Sequence, residues 1–189
     1  MCGIVGILGT APVASSIVDA LKRLEYRGYD SAGVATLEGG HLARRRAEGK
    51  LRNLEARLRE QPLGGLVGIG HTRWATHGRA TERNAHPHAT DRLAVVHNGI
   101  IENFRELRDR LEAEGVRFES ETDTEVVAQL ASYELRRTND PARAVADTLG
   151  QRRGAFPLAF LFVGDENLKI GARQGAPLAV GWGAGERIL

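Results

Sequence analysis

A second cysteine is missing from this chain of 189 residues. Without one, no internal disulfide can form and no cysteine-rich zinc site can be built, which fits a reducing compartment such as the cytoplasm. No apolar run approaches the roughly 18 residues a membrane-spanning helix needs, and the start carries no basic segment of the signal-peptide kind. An excess of charge is lacking too. With 26 basic and 24 acidic residues the net charge is +2, too balanced to imply a nucleic-acid or membrane partner. Low-complexity segments and internal repeats are absent. What is present is ordinary for one globular domain: 42% hydrophobic and 26% charged residues, with enough chain to bury a substantial core.

The lone cysteine is placed unusually. Met1-Cys2-Gly3-Ile4-Val5-Gly6-Ile7-Leu8 reads as a buried strand, whereas chain ends are commonly ragged. Removal of Met1 would leave a thiol and an α-amine on one residue. The amine, with an ordinary pKa of about 7.7–8.0, could take the proton of a thiol whose ordinary value is about 8.5. A small buried hydrophobe is the alternative role, and the commoner one for a free cysteine.

Spacing then sets out the elements. Val13, Ile17, Leu21 and Leu24 recur at helical period after Pro12, which suits a first turn. Residues 25–33 form a loop into a strand over 34–37, and Gly39-Gly40 turns it into a second strand over 41–44. Arg44-Arg45-Arg46 reads as the solvated end of an edge strand. Leu51, Leu54 and Leu58 mark a short helix, and residues 66–71 a buried strand. Residues 72–91 show no period, yet hold Arg73, Trp74, Thr76, His77, His86 and His88. Structureless stretches of this length are uncommon in compact domains and tend to be functional. A buried strand over 93–97 ends at Asn98-Gly99. Helices are predicted from an Asn103 cap through Phe104, Leu107 and Leu111 to Gly115, from the capping-box pattern Thr122-Asp123-Thr124-Glu125 onward, and from Asp140-Pro141 to Gly150. Phe118 reads as part of a short strand. Strands are also expected over 156–163, 168–172 and 178–182, with Pro157 awkward in the first of these. Two groups of short apolar strands with amphipathic helices between them suggest an α+β fold of two stacked sheets covered by helices, although periodicity leaves a three-layer α/β sandwich open.

Several residues could do chemistry. Asn98-Gly99 is a tight turn on the bland reading. On the functional one it is an oxyanion hole, in which each donor is worth about 3 kcal/mol to an acyl transfer. Arg73 is either a surface arginine or a fork for a carboxylate. Asp123 is either a helix-cap residue or the partner of an ammonium group. Together Arg73 and Asp123 would read the two charges of an α-amino acid. His86 and His88 lack a third ligand at an obvious spacing, so no metal site is expected. His71, His77 and His97 lie at strand ends and suit structural hydrogen bonds.

Six motifs then occur in order: the opening Met-Cys-Gly-Ile-Val-Gly, Leu24 to Gly33 (LEYRGYDSAG), His71 to Gly78 (HTRWATHG), Asn84 to His88 (NAHPH), Val96 to Asn103 (VHNGIIEN) and Ser120 to Glu125 (SETDTE). In this the chain resembles the glutaminase domains of the glutamine–fructose-6-phosphate aminotransferase family, members of the N-terminal-nucleophile hydrolases, over all 189 residues. The resemblance implies an αββα sandwich with two mainly antiparallel sheets between helical layers. It implies Cys2 as nucleophile with its own α-amine as base, and Asn98 and Gly99 as oxyanion hole. Arg27 and Gly28 would line the site. Arg73 with Thr76 and His77 would hold the α-carboxylate of L-glutamine, and Asp123 its ammonium. Trp74 would sit in a loop that closes over the substrate. No cofactor or metal is implied. The family's sugar-isomerase module, which takes the ammonia to fructose 6-phosphate and carries most of the dimer contact, is absent from this chain. The end at Ile188-Leu189 reads as a domain truncated at its C-terminal side. An amidotransferase domain serving another acceptor, such as phosphoribosyl pyrophosphate, is the alternative.

Overall fold

The computed structural model describes residues 2–27, 30–75 and 78–189, with Arg27 described in its backbone only. Ten strands form two sheets among these residues. The first sheet comprises β1 (Gly3–Leu8), β2 (Ser31–Glu38), β3 (His41–Glu48), β4 (Val67–Arg73), β9 (Gly181–Gly183) and β10 (Glu186–Ile188), in the order β3-β2-β4-β1-β10-β9. The second comprises β5 (His88–Ala89), β6 (Leu93–His97), β7 (Phe156–Phe162) and β8 (Lys169–Gln174), in that order. Every pairing is antiparallel. Helices α1 (Ala14–Lys22) and α2 (Leu51–Glu60) cover the first sheet, and α3 (Phe104–Ala113), α4 (Asp123–Thr138) and α5 (Pro141–Gln151) the second.

Strand alternation explains the four layers. Val5 and Ile7 of β1 and Ala32 and Val34 of β2 point outward to Ile17, Val18 and Leu21 of α1. Ala35, Leu37, Val67 and Ile69 point inward to Ala94, Val96, Ala159 and Leu161 of the second sheet. Leu93, Val95, Phe156, Leu158, Phe160 and Phe162 face α4 and α5. The β7 run is apolar throughout because both its faces are covered. Gly68 and Gly70 let α1 sit close, since a Cβ at Gly70 would lie 2.2 Å from Ile17 Cγ2. This is the αββα arrangement, and it settles the alternative of a three-layer sandwich.

Several expectations need correction. Pro12 and Leu24 both lie outside α1. Strand β4 runs through Thr72 and Arg73, where Arg73 pairs with Ser31, so Arg73 is buried in a strand and not set in an aperiodic loop. Phe118 is not in a strand; its ring lies under the Arg108 guanidinium, 4.4 Å away. Asn103 precedes α3 but does not cap it. Its side chain bonds the Gln151 carbonyl and the Arg153 N–H instead. The three arginines are not a solvated strand end. Arg44 donates to the Pro87 carbonyl, and Arg46 to those of Arg83 and Ala85, at 3.0 Å each. The loop over 82–88 crosses that strand, and nothing local in the sequence announces it. Asn98-Gly99 is no hairpin turn, since β6 leads on to α3 and its sheet neighbours are β5 and β7. Residues 178–180 lie outside any strand, and β9 joins the first sheet while β8 belongs to the second.

Pro157 fits where it stands. It lies beyond the last β6–β7 pair, His97 with Leu158, and its carbonyl still accepts from the Asn98 N–H at 3.1 Å. A proline there has no N–H to return, so pairing ends and the chain at Asn98 is released from the sheet.

Candidate active site

At one end of the sandwich the inward face of the strands changes character. In β4 the inward positions run Val67, Ile69, His71, Arg73, apolar and then polar. In β6 they run Ala94, Val96 and on to Asn98. Ile4 and the preceding Cys2 share the parity in β1, with Ile4 opposite His71. The polar ends converge on a cavity of about 630 Å³ whose lining includes Cys2, Arg73, Trp74, Asn98, Gly99 and Asp123. Apolar groups, among them Ile4, Leu24 and Leu178, complete its wall.

Cys2 is half-buried. Its Sγ accepts from the Trp74 N–H at 3.2 Å. Burial pushes the thiol up from its ordinary value, against the downward pull of that backbone N–H. A thiol so placed needs a base to become a nucleophile. Asn98 Nδ2 donates to the Cys2 carbonyl at 3.0 Å, which sets the amide beside the cysteine. Gly99 adopts φ +123°, and a Cβ there would lie 2.3 Å from the Ala155 carbonyl oxygen, so only glycine fits the turn out of β6.

Arg73 is 3% exposed and donates to the carbonyls of Gly78 and Arg79 at 3.1 Å each. Trp74 is largely exposed at the cavity rim. Asp123 opens α4, where the helix N-terminus favours an anion. Its Oδ2 accepts from the Ile101 N–H at 2.9 Å and lies 3.9 Å from His97 Nδ1. Thr122 is the cap of α4, accepting from the Glu125 N–H. Glu125 reaches back beyond it, to the N–H groups of Glu119 and Ser120. Thus Cys2, Arg73, Trp74, Asn98, Gly99 and Asp123 are brought together. Gly28, Thr76, His77 and the Arg27 side chain lie outside the described residues.

The loop that precedes β5 is stitched to the turn before α4. Asn84 exchanges bonds with Glu121, His88 Nε2 meets Thr122 Oγ1 at 2.9 Å, and His86 Nε2 meets Thr124 Oγ1 at 2.8 Å. The backbone of His86 also presses on β2, where a Cβ at Gly33 would lie 2.2 Å from its carbonyl oxygen. The two histidines thus bond to hydroxyls, and the described residues contain no cluster of metal-ligating side chains.

A family model described as "Glutamine amidotransferase domain" matches residues 71–188. The chain belongs to the glutamine amidotransferase domain family. Among its relatives are proteins named glutamine–fructose-6-phosphate aminotransferase [isomerizing], from Brucella suis biovar 1 (strain 1330) at 69% identity and from Bradyrhizobium diazoefficiens at 67%. Each alignment covers 100% of this chain and 31% of the relative, so the chain spans about a third of their length. Among solved structures, the glutamine phosphoribosylpyrophosphate amidotransferase from B. subtilis superposes with a TM-score of 0.84 at 24% identity, over 100% of this chain and 41% of that one. A class-II glutamine aminotransferase domain protein from Silicibacter pomeroyi gives 0.68 at 17%, over 100% and 87%. These two show the fold.

Two further residues of the amidotransferase domain bear on the site: Asp30, to which sequence reasoning gave no role of its own, and His71, read from the sequence only as a structural hydrogen-bonder. Asp30 accepts from the Ala75 N–H and from Ser31 Oγ, and lies 3.9 Å from Arg73. It holds the chain that leaves β4. Its signal was an acid in an aperiodic loop, directly before the strand that pairs with β4. His71 is fully buried, with Nε2 2.8 Å from Asn98 Oδ1 and 3.1 Å from the His97 carbonyl. Its inward parity with Ile69 and Arg73 was the available signal.

Proposed function

We propose that this amidotransferase domain hydrolyses the side-chain amide of L-glutamine through Cys2. One observation carries the reading: the Asn98 amide bonds the Cys2 carbonyl, and both residues line a cavity that Arg73 and Asp123 also line. An arginine and an aspartate in one pocket match the carboxylate and ammonium of an α-amino acid. With Met1 removed, the Cys2 α-amine takes the thiol proton, a general-base role for which an N-terminal amine is suited. The thiolate attacks the carboxamide carbon. Of the two Asn98 amide hydrogens one serves the Cys2 carbonyl, and the other, with the Gly99 N–H, receives the oxyanion. The protonated α-amine returns its proton to the leaving nitrogen, and ammonia departs. Water then hydrolyses the γ-glutamyl thioester to glutamate. Arg27, Gly28, Thr76 and His77 belong to the substrate pocket on this reading, and Trp74 to its lid.

The names of the relatives extend the proposal. Identities of 61–69% attach to aminotransferases named for fructose 6-phosphate. In a longer protein of that kind, the ammonia made here is passed to fructose 6-phosphate. The module that receives it, and the dimer contact we assign to that module, lie outside residues 1–189. Phosphoribosyl pyrophosphate as acceptor has only the fold likeness behind it. A cytoplasmic setting suits a free catalytic thiol, and no described helix is long and apolar enough to cross a membrane.

The test is ammonia release from glutamine by the chain and by Cys2→Ala, with an intact mass for each. Loss of about 10³-fold or more is expected on substitution of a covalent nucleophile. Protein that keeps Met1 should be equally inactive, because its amine is blocked. A Cys2→Ala variant with the parent rate would end the proposal.

A further inference from the structure

The two edges of an asparagine amide have nearly the same shape, so packing alone does not decide which one faces a substrate. Hydrogen bonds do. An Asn98 turned the wrong way would present its oxygen to Cys2, and an oxyanion formed there would meet a lone pair.

Among the described residues two groups bond the Asn98 side-chain amide, the Cys2 carbonyl and His71, and His71 is the one that meets the edge away from Cys2. His71 Nε2 lies 3.1 Å from the His97 carbonyl oxygen and 2.8 Å from Asn98 Oδ1. A backbone carbonyl only accepts, so Nε2 carries the hydrogen. A donor at Nε2 requires an acceptor on the facing edge of Asn98, and that edge is Oδ1. The opposite edge is then Nδ2, and it does meet an acceptor, the Cys2 carbonyl at 3.0 Å. The order His97 carbonyl, His71, Asn98, Cys2 carbonyl is consistent at each link. His71 Nδ1 is buried with no hydrogen-bond partner, as a bare ring nitrogen should be in this tautomer. Burial holds the pKa of His71 down to about 3, so the ring stays neutral in the working range. Its ring is stacked on His86 with centroids 4.2 Å apart, which fixes its plane. His71 comes from the first sheet and Asn98 from the end of a strand in the second, so the bond also fixes the distance between the two sheets at the site.

We infer that His71 is the positioning residue that turns the Asn98 amide with its N–H edge toward Cys2. His71 does not line the cavity, and it acts through Asn98 without touching substrate. The inference rests on the proposed role of Asn98 as oxyanion donor.

The experiment compares His71→Gln, His71→Met and Asn98→Ala, with the double variant His71→Met/Asn98→Ala, in glutamine hydrolysis. Glutamine can place an amide N–H near the position of the histidine Nε2; methionine has similar length and no donor. Rates are normalised to the thiol titrated by a glutamine-derived diazoketone, so that only folded sites count. His71→Met should lower kcat about 10- to 100-fold, less than the about 10²- to 10³-fold of a deleted oxyanion donor because Asn98 itself remains, with KM for glutamine within about threefold. His71→Gln should recover most of the loss. The double variant should be no slower than Asn98→Ala, because residues that act through one another are not additive. His71→Asn, whose amide falls short of Asn98, replaces His71→Met if the latter yields no folded protein. An unchanged kcat in the donor-less variant, a change confined to KM, or additive losses would overturn the inference. If Cys2→Ala or Asn98→Ala works at the parent rate, the proposed function fails first. If both are impaired and His71→Met is not, the inference alone fails.

Discussion

Thr124 Oγ1 lies 2.8 Å from His86 Nε2. The same hydroxyl lies 3.1 Å from His97 Nδ1. One side chain at the start of α4 therefore satisfies a histidine of the loop before β5 and a histidine at the end of β6. All three are buried. Thr124→Val keeps the shape and removes the hydroxyl. Two buried ring nitrogens lose a partner, and each such loss costs about 1–3 kcal/mol. A fall of about 2–6 kcal/mol in unfolding free energy is expected from urea titration. Asp123 stands beside Thr124, so KM for glutamine should rise as well. A variant within about 0.5 kcal/mol of the parent would show that the hydroxyl is replaced by water.

The arginine strap gives a second expectation. Arg46 reaches two carbonyls of the loop it holds, and burial lowers its pKa to about 10, which leaves it charged at neutral pH. Arg46→Ala should free backbone over residues 83–88 at a cost of about 1 kcal/mol, a charge-assisted bond discounted for partial exposure. Hydrogen exchange of those amides should quicken, and KM should rise more than kcat falls. Arg45 points to the other face and bonds the Gln61 carbonyl, so Arg45→Ala should leave exchange in that loop unchanged. Equal exchange in both variants would refute the strap.

Gly99 is held in a conformation that side chains avoid, with the Ala155 carbonyl in the place of a Cβ. Gly99→Ala should cost about 2–4 kcal/mol, from positive φ and from displaced backbone. The displaced group carries the N–H we assign to the oxyanion, so kcat should fall by at least about 10-fold even where the variant is folded. Steady-state kinetics at a temperature below its melting point will separate the two effects. A folded variant with the parent kcat would remove Gly99 from the proposed oxyanion hole.

The sequence disclosed those parts of the site that are local in the chain. Cys2 stands at the tip of an apolar strand, Asn98-Gly99 directly follows another, and Asp123 lies within a capping pattern. Each needs only neighbours within a few residues. The arginines of β3 were misjudged because their partners lie 37 to 43 residues away, in a segment with no period of its own. Arg73 looks like a loop residue because the apolar alternation stops at Ile69. The strand continues with His71 and Arg73 on the same face, where the sheets part to make the cavity. A core face that turns polar looks like a strand's end to any reading by hydrophobic period. Asn103 and Phe118 failed for a related reason, since a contact across the fold outbid the local preference.

Acid should unfold this domain earlier than its carboxylates require. His71, His86 and His88 are all buried, and burial pushes each pKa down, to about 3 for His71 and well below the ordinary value for the other two. In the unfolded chain each returns to about 6.5. Above that value both states are neutral and the histidines do not affect the balance. Below it the unfolded chain binds protons that the fold refuses, so stability is lost as pH falls. The slope approaches about 1.4 kcal/mol per pH unit for each histidine. Between pH 7.5 and 5.5 the three together should remove up to about 4 kcal/mol, while most carboxylates are still ionised. Urea midpoints at pH 7.5, 6.5 and 5.5 measure this directly. His88→Gln, which can still meet Thr122, should flatten the profile by one histidine's share. A midpoint that does not move between pH 7.5 and 5.5 would mean that these rings accept protons within the fold, against the burial that surrounds them.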